Sequence, residues 1–286
     1  MNTDLITKVD ISPLSNKRID YNSQIFSIGS CFADEIGDKM RELGFDINLN
    51  PFGVQFNPAS IQLSFERLAE KRLFTTDDII ESQGRYVTLY HHSSFSTASD
   101  KELLPSINSS LVENSAAFER AEWFMVSLGT SWIYRHIGRD IIVSNCHKIH
   151  PSEFTRELMS VEQVYESLEK MISLKSPQTQ WVFTVSPIRH RKDGLHNNQI
   201  SKAILILAID RICRKYPNAH YFPAYEIVLD ELRDYRFYAE DMVHPSPLAV
   251  KIIWERFIDF AIDNSSLEQI KIAEKEHKLK NHRQRF

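Results

Sequence analysis

Short apolar runs alternate along this chain with stretches whose apolar residues recur every three or four positions. Residues 24–28 (QIFSI) form the first run and end at Gly29-Ser30. The stretch that follows places Phe32, Ile36, Met40 and Leu43 on one helical face. Residues 45–49 read as a second strand that enters the turn Asn50-Pro51-Phe52-Gly53. Pro58 then opens a helix carrying Ile61, Leu63, Phe65 and Leu68. Residues 123–128 and 181–185 are buried strands stopped by Gly129 and by Ser186-Pro187, and 220–222 is a short one before Pro223. Helical spacing returns at 161–174, 201–214 and 247–262. Residues 132–135 and 140–144 bracket Ile137-Gly138-Arg139 as a hairpin.

Strands that alternate with helices of this length predict parallel pairing through crossovers. The expected fold is a three-layer α/β/α sandwich with a mainly parallel central sheet of about five strands. One domain over residues 1–266 is expected, with an insertion at 73–110, where 86–91 alternate like a strand. A charged helical tail over 267–286 should follow. In such sheets chemistry gathers at the carboxyl ends of the strands. Here those ends are Gly29-Ser30, Asn50 to Gly53, Gly129-Thr130, Ser186-Pro187 and the region of Tyr225.

Composition narrows the classes of function. With 42% hydrophobic and 11% aromatic residues there is ample surface to bury, so disorder is excluded for most of the chain. A net charge of −4 leaves no basic footprint for nucleic acid. No run approaches the roughly 20 apolar residues of a membrane span, and residues 1–21 lack the pattern of a secretory leader. Cys31, Cys146 and Cys213 are too few and too scattered for a disulfide framework or a zinc knuckle. A reducing cytoplasm is the expected compartment. The histidines at 91, 92, 136, 147 and 150 show no helical His-x-x-x-His spacing, so no metal is expected. No cofactor is expected either, and the sequence leaves the oligomeric state open.

Two strand ends carry chemistry. Ser30 lies between a buried strand and a helix, where a hydroxyl stands at the sheet edge near free helical N–H groups. The same position is also ordinary for a helix cap. Asp241-Met242-Val243-His244-Pro245 precedes the last core helix, with an aspartate three residues before a histidine and able to orient it. Cys31 is a competing nucleophile if the helix terminus lowers its pKa, and a small core residue otherwise. Arg189, within Arg189-His190-Arg191-Lys192, and Trp132 are candidates for substrate contact at the same edge. His147 is a further candidate for substrate binding.

A Gly-Ser at the end of the first strand, with D-x-x-H-P before the last helix, resembles the SGNH (GDSL-like) hydrolases. The segment Gly29-Ser30-Cys31-Phe32-Ala33 spells the motif of the GSCFA family, which is grouped with them. Similar segments follow in order: Asn50-Pro51-Phe52-Gly53 with Phe56-Asn57-Pro58, Leu128-Gly129-Thr130, Asn145-Cys146-His147-Lys148, and Ser186-Pro187 followed by Asp193-Gly194 and Ser201-Lys202. The resemblance runs from about Gln24 to Phe257.

It implies a serine esterase in which Ser30 attacks an ester carbonyl, His244 takes the proton and Asp241 holds His244. It also implies an oxyanion hole, with the Ser30 N–H first and Gly53 second. The third donor, an asparagine in the usual Gly-x-Asn-Asp, is absent, because the segment reads Gly129-Thr130-Ser131-Trp132. Asn57 and Asn145 are the candidate replacements. The expected substrate is a small O-acyl ester, with an acylated carbohydrate suggested by analogy. An acyltransferase with the same triad, and a glycan- or protein-binding module with a degraded site, are the alternatives.

Overall fold

The computed structural model describes residues 7–283. Residues 1–6, part of the stretch found to lack a secretory-leader pattern, and 284–286, the end of the charged tail, lie outside the described residues. A central sheet is built from β1 (Ile25–Gly29), β2 (Ile47–Leu49), β5 (Trp123–Leu128), β9 (Gln180–Val185) and β10 (Ala219–Tyr221). Its order is β10-β9-β5-β1-β2 and every pairing is parallel. The register sets Gly29 beside Ser127, and Ser127 beside Thr184.

Period-two alternation sorts the strand side chains into two layers. Phe26, Ile28, Phe124, Val126, Leu128, Trp181 and Phe183 face one core. Against it pack α2 (Pro58–Glu70), α3 (Asp100–Arg120), α4 (Val161–Ser173) and α5 (Leu195–Lys215). Ile25, Trp123 and Val182 face the other core, with α1 (Cys31–Glu42), α7 (Pro247–Ala261) and the start of α8 (Leu267–Arg283). The result is the expected three-layer α/β/α sandwich with a parallel five-stranded central sheet. A short helix, α6 (Ala224–Glu226), follows β10. No helix among the described residues is long and apolar enough to cross a membrane.

Two small sheets decorate the sandwich. β3 (Ile79–Ser82) and β4 (Arg85–Thr88) form an antiparallel hairpin, and β6 (Trp132–His136) pairs antiparallel with both β7 (Ile141–Val143) and β8 (Phe154–Leu158). The hairpin expected after Trp132 is therefore present and gains a third strand. Helix α3 begins inside the stretch read as an insertion and delivers the chain to β5. Its buried face (Leu103, Ile107, Leu111, Phe118) has helical spacing, but Ser106, Asn108, Ser109 and Ser110 give the other face the polarity of a loop. Pro105 lies in the second turn of the helix, where it removes one intrahelical hydrogen bond.

Candidate active site

Ser30 is the N-cap of α1. Its Oγ accepts from the Phe32 N–H at 3.3 Å, and its φ and ψ are −69° and 174°. The same hydroxyl lies 3.1 Å from Ser127 Oγ, and the Ser30 N–H donates to Ser127 O at 3.0 Å. The side chain is 2% exposed. This close seat requires glycine at 29, since a Cβ there would run into the backbone of Ser127, 2.8 Å from its nitrogen. Cys31 beside it is no activated thiolate. Burial pushes its pKa up, and the carboxylates of Asp34 and Glu35 add to that.

Asp241 and His244 form a pair within one turn. Asp241 Oδ1 accepts the N–H groups of Val243 (2.9 Å) and His244 (3.0 Å), which folds the turn, and Met242 takes φ +58° to allow it. His244 Nδ1 then lies 2.6 Å from Asp241 Oδ2. This fixes the tautomer with the proton on Nδ1 and leaves Nε2 as the acceptor nitrogen. The backbone bond from His244, then its ring and the Val243 N–H, hold the Asp241 carboxyl down to about 2. Both side chains are about half exposed. Ser246 caps α7 immediately afterwards, with Pro247 at its first position.

His244 is close enough to α1 that its charge lowers the pKa of Glu35, opposing the rise caused by burial. No hydrogen bond joins His244 to Ser30. The structure pairs Asp241 with His244 and seats Ser30 separately on Ser127.

Of the expected oxyanion residues, Gly53 and Asn57 have donors already engaged and Asn145 has its acceptor engaged. The Gly53 N–H donates to Asn50 O at 2.7 Å, and Gly53 adopts φ +73° with His92 packed where a Cβ would be. Asn57 caps α2, accepting from the Ser60 N–H (2.8 Å) and donating to Ser60 Oγ (2.9 Å). Asn145 Oδ1 accepts the His147 N–H at 2.9 Å. His147 is buried, at φ +47°, with Nε2 2.7 Å from Thr88 O, and burial lowers its pKa. It ties residues 145–148 to the end of β4.

Around the rim, Arg189 donates to Tyr238 Oη at 3.2 Å and stands over its ring, while Arg191 reaches Asp241 O at 3.4 Å. The basic loop after β9 therefore borders the Asp241 turn. Trp132 carries the guanidinium of Arg156 4.0 Å over its ring, and Arg156 is also paired with Asp193.

Several residues that shape the site were not singled out from the sequence. Asn50, at φ +45°, accepts the Gly29 N–H on Oδ1 (2.8 Å) and donates from Nδ2 to Asp34 (2.5 Å), tying the turn after β2 to the turn after β1. Gln55, fully buried, donates from its backbone to Gly29 O at 2.9 Å and from its amide to Ser64 and Ser144, each at 2.8 Å. Ser201 and Lys202 of α5 hold the turn after β5. Ser201 Oγ accepts from the Ser131 N–H at 2.8 Å and meets Thr130 Oγ1 at 3.0 Å. An asparagine before proline, and a Ser-Lys pair at a helix position near the strand edge, were the available signals.

The sequence profile of the GSCFA family matches residues 24–257. No curated protein matches the chain. Among solved structures, a Clostridium thermocellum family 3 carbohydrate esterase is similar at 11% identity and a TM-score of 0.38, over 82% of this chain and 93% of that one.

Proposed function

Because this chain belongs to the GSCFA family, we propose that it is a serine-dependent esterase of the SGNH type that cleaves a small O-acyl ester. The observation that carries this reading is the Asp241–His244 pair, closed at 2.6 Å on the turn before α7 and beside the helix that Ser30 caps. Ser30 Oγ leaves Ser127, attacks the ester carbonyl and passes its proton to His244 Nε2. The imidazolium, stabilised by Asp241, returns that proton to the departing alcohol. Water then repeats the sequence on the acyl-enzyme, releasing the acid and restoring Ser30.

The oxyanion would be held by the N–H groups of Ser30 and Gly53, with the Asn145 amide as third donor, since Asn57 is committed to capping α2. Substrate oxygen competes there with Ser127 O and Asn50 O, the present acceptors of the first two donors. Arg189 and Tyr238 border the Asp241 turn and suit a polyhydroxylated alcohol such as a sugar.

One observation favours a second reading, a binding module without turnover: Ser30 Oγ is buried against Ser127 rather than bonded to His244. Fluorophosphonate labelling followed by mass mapping separates the two. The esterase labels at Ser30, retains labelling in Cys31→Ala and loses it in Ser30→Ala. No labelling between about pH 6 and 9, where a histidine base is available, overturns the esterase reading.

A further inference from the structure

Lys202 is the one lysine among the described residues buried at the sheet edge that carries the site, with 1% of its surface exposed. Its Nζ donates to Gly129 O at 2.7 Å and to Ser186 O at 2.6 Å, the first carbonyls beyond β5 and β9. No carboxylate is bonded to it. The groups facing it are the Tyr225 ring of α6, 5.7 Å away, and His190 of the loop after β9, whose pKa burial lowers to about 4. Cross-linking two carbonyls needs only a neutral donor, and a buried unpaired charge is costly. Lys202 therefore braces the turn after β5 against the turn after β9 and, when protonated, brings a positive charge to that edge.

The bonds that leave this point lead to the nucleophile. The N–H groups of Gly129 and Thr130 both donate to Phe56 O, at 2.7 and 3.0 Å, and the neighbouring Gln55 N–H donates to Gly29 O at 2.9 Å. Gly129 is also two residues past Ser127, which holds Ser30 by backbone and side chain. At about 3.3 Å per strand residue, the ammonium stands on the order of 10 Å from Ser30.

Resting on the esterase reading above, we propose that Lys202 is a positioning residue of the Ser30 site. Its sealed positive charge fixes the Gly129–Thr130 turn and stabilises the negative charge that develops on the substrate during acyl transfer. A unit charge at that distance, with an effective dielectric constant of about 20, changes a rate roughly tenfold.

The test compares the unchanged protein with Lys202→Gln and Lys202→Arg, using fluorophosphonate labelling rates at Ser30 and hydrolysis of an aryl acetate from pH 6 to 9. Burial brings the Lys202 pKa down to about 7, so the unchanged protein should slow above that pH. Lys202→Arg, which keeps its charge, should lack this descending limb. Lys202→Gln should label about tenfold more slowly, with kcat reduced and KM unchanged. A limb that persists in Lys202→Arg, or labelling of Lys202→Gln at the full rate, overturns the proposal. If circular dichroism shows Lys202→Gln unfolded, the pH comparison with Lys202→Arg decides alone. Absence of labelling in the unchanged protein removes the esterase reading and this one with it, whereas labelling that ignores both substitutions removes only the role of Lys202.

Discussion

The Asp241–His244 turn and the seat of Ser30 are built in opposite ways. The turn is exposed and local: one carboxylate takes two backbone N–H groups and one imidazole, all within three residues. The seat is buried and assembled across the chain, from Ser127 in β5 and Asn50 after β2, with Lys202 of α5 holding the turn that follows β5. Exposed groups need little stabilisation to stay ionised, and the turn sets their geometry cheaply. Buried polar groups are tolerated only when each finds a partner. The seat is therefore where fold and chemistry depend on each other, and substitutions in the two regions should behave differently.

The largest effects should separate activity from stability. Ser30→Ala and His244→Ala should each reduce ester hydrolysis on the order of 10⁴-fold or more, while His244→Ala leaves thermal melting nearly unchanged. A melting loss that tracks the activity loss would mean that His244 is structural. Asp241→Asn should cost about 10²- to 10⁴-fold, because it disturbs tautomer and orientation without removing the base. Its carboxyl is depressed, so what it contributes to stability is present above the ordinary value of 3.8 and lost as pH falls through about 2. Melting measured from pH 4 upward should therefore not register the titration of Asp241.

Gly29→Ala tests the seat itself. A Cβ forced into the Ser127 backbone should destabilise the protein by about 3 kcal/mol, read by denaturant titration. Lys202 sharpens the contrast further, because its stability and activity effects should run in opposite directions. Its folded pKa is lowered to about 7 from 10.5, so the unfolded chain binds the extra proton between those values and stability rises with pH there. Melting of the unchanged protein should gain on Lys202→Arg from pH 7 to 9 while its hydrolysis falls. The smallest effect is expected at Asn57→Ala, about 1 kcal/mol from the lost cap, with turnover intact. A loss of turnover there would return Asn57 to the oxyanion hole.

The same contrast explains what could be read from sequence. Ser30, Asp241 and His244 stood out because their signals are local, a Gly-Ser at a strand end and a D-x-x-H before a helix. Three of the five strands were legible because 24–28, 123–128 and 181–185 are mostly apolar runs that end at or just before glycine or proline. Helix α3 was missed because its polar face is rich in serine and asparagine. Ser127 was missed because it sits inside a buried strand, and Lys202, though quoted within Ser201-Lys202, was not given a role because it lies on a helix far along the chain from Ser30. Their partners are 97 and 73 positions away and meet them only through the register of β1, β5 and α5. The absent third-block asparagine was visible, but the use of Ser201 and Lys202 to hold that turn was not.

The pairing of Gly29 with Ser127 also has a consequence in time. Synthesis runs from the amino terminus, so Ser30 emerges long before β5 exists to receive it, and longer still before the Asp241 turn is made. Contacts that close such long loops form late. A nascent or truncated chain ending before Asp241 thus carries Ser30 without the Asp241–His244 pair, and on the proposed reading hydrolytic capacity would arrive only with about the last sixth of the polypeptide.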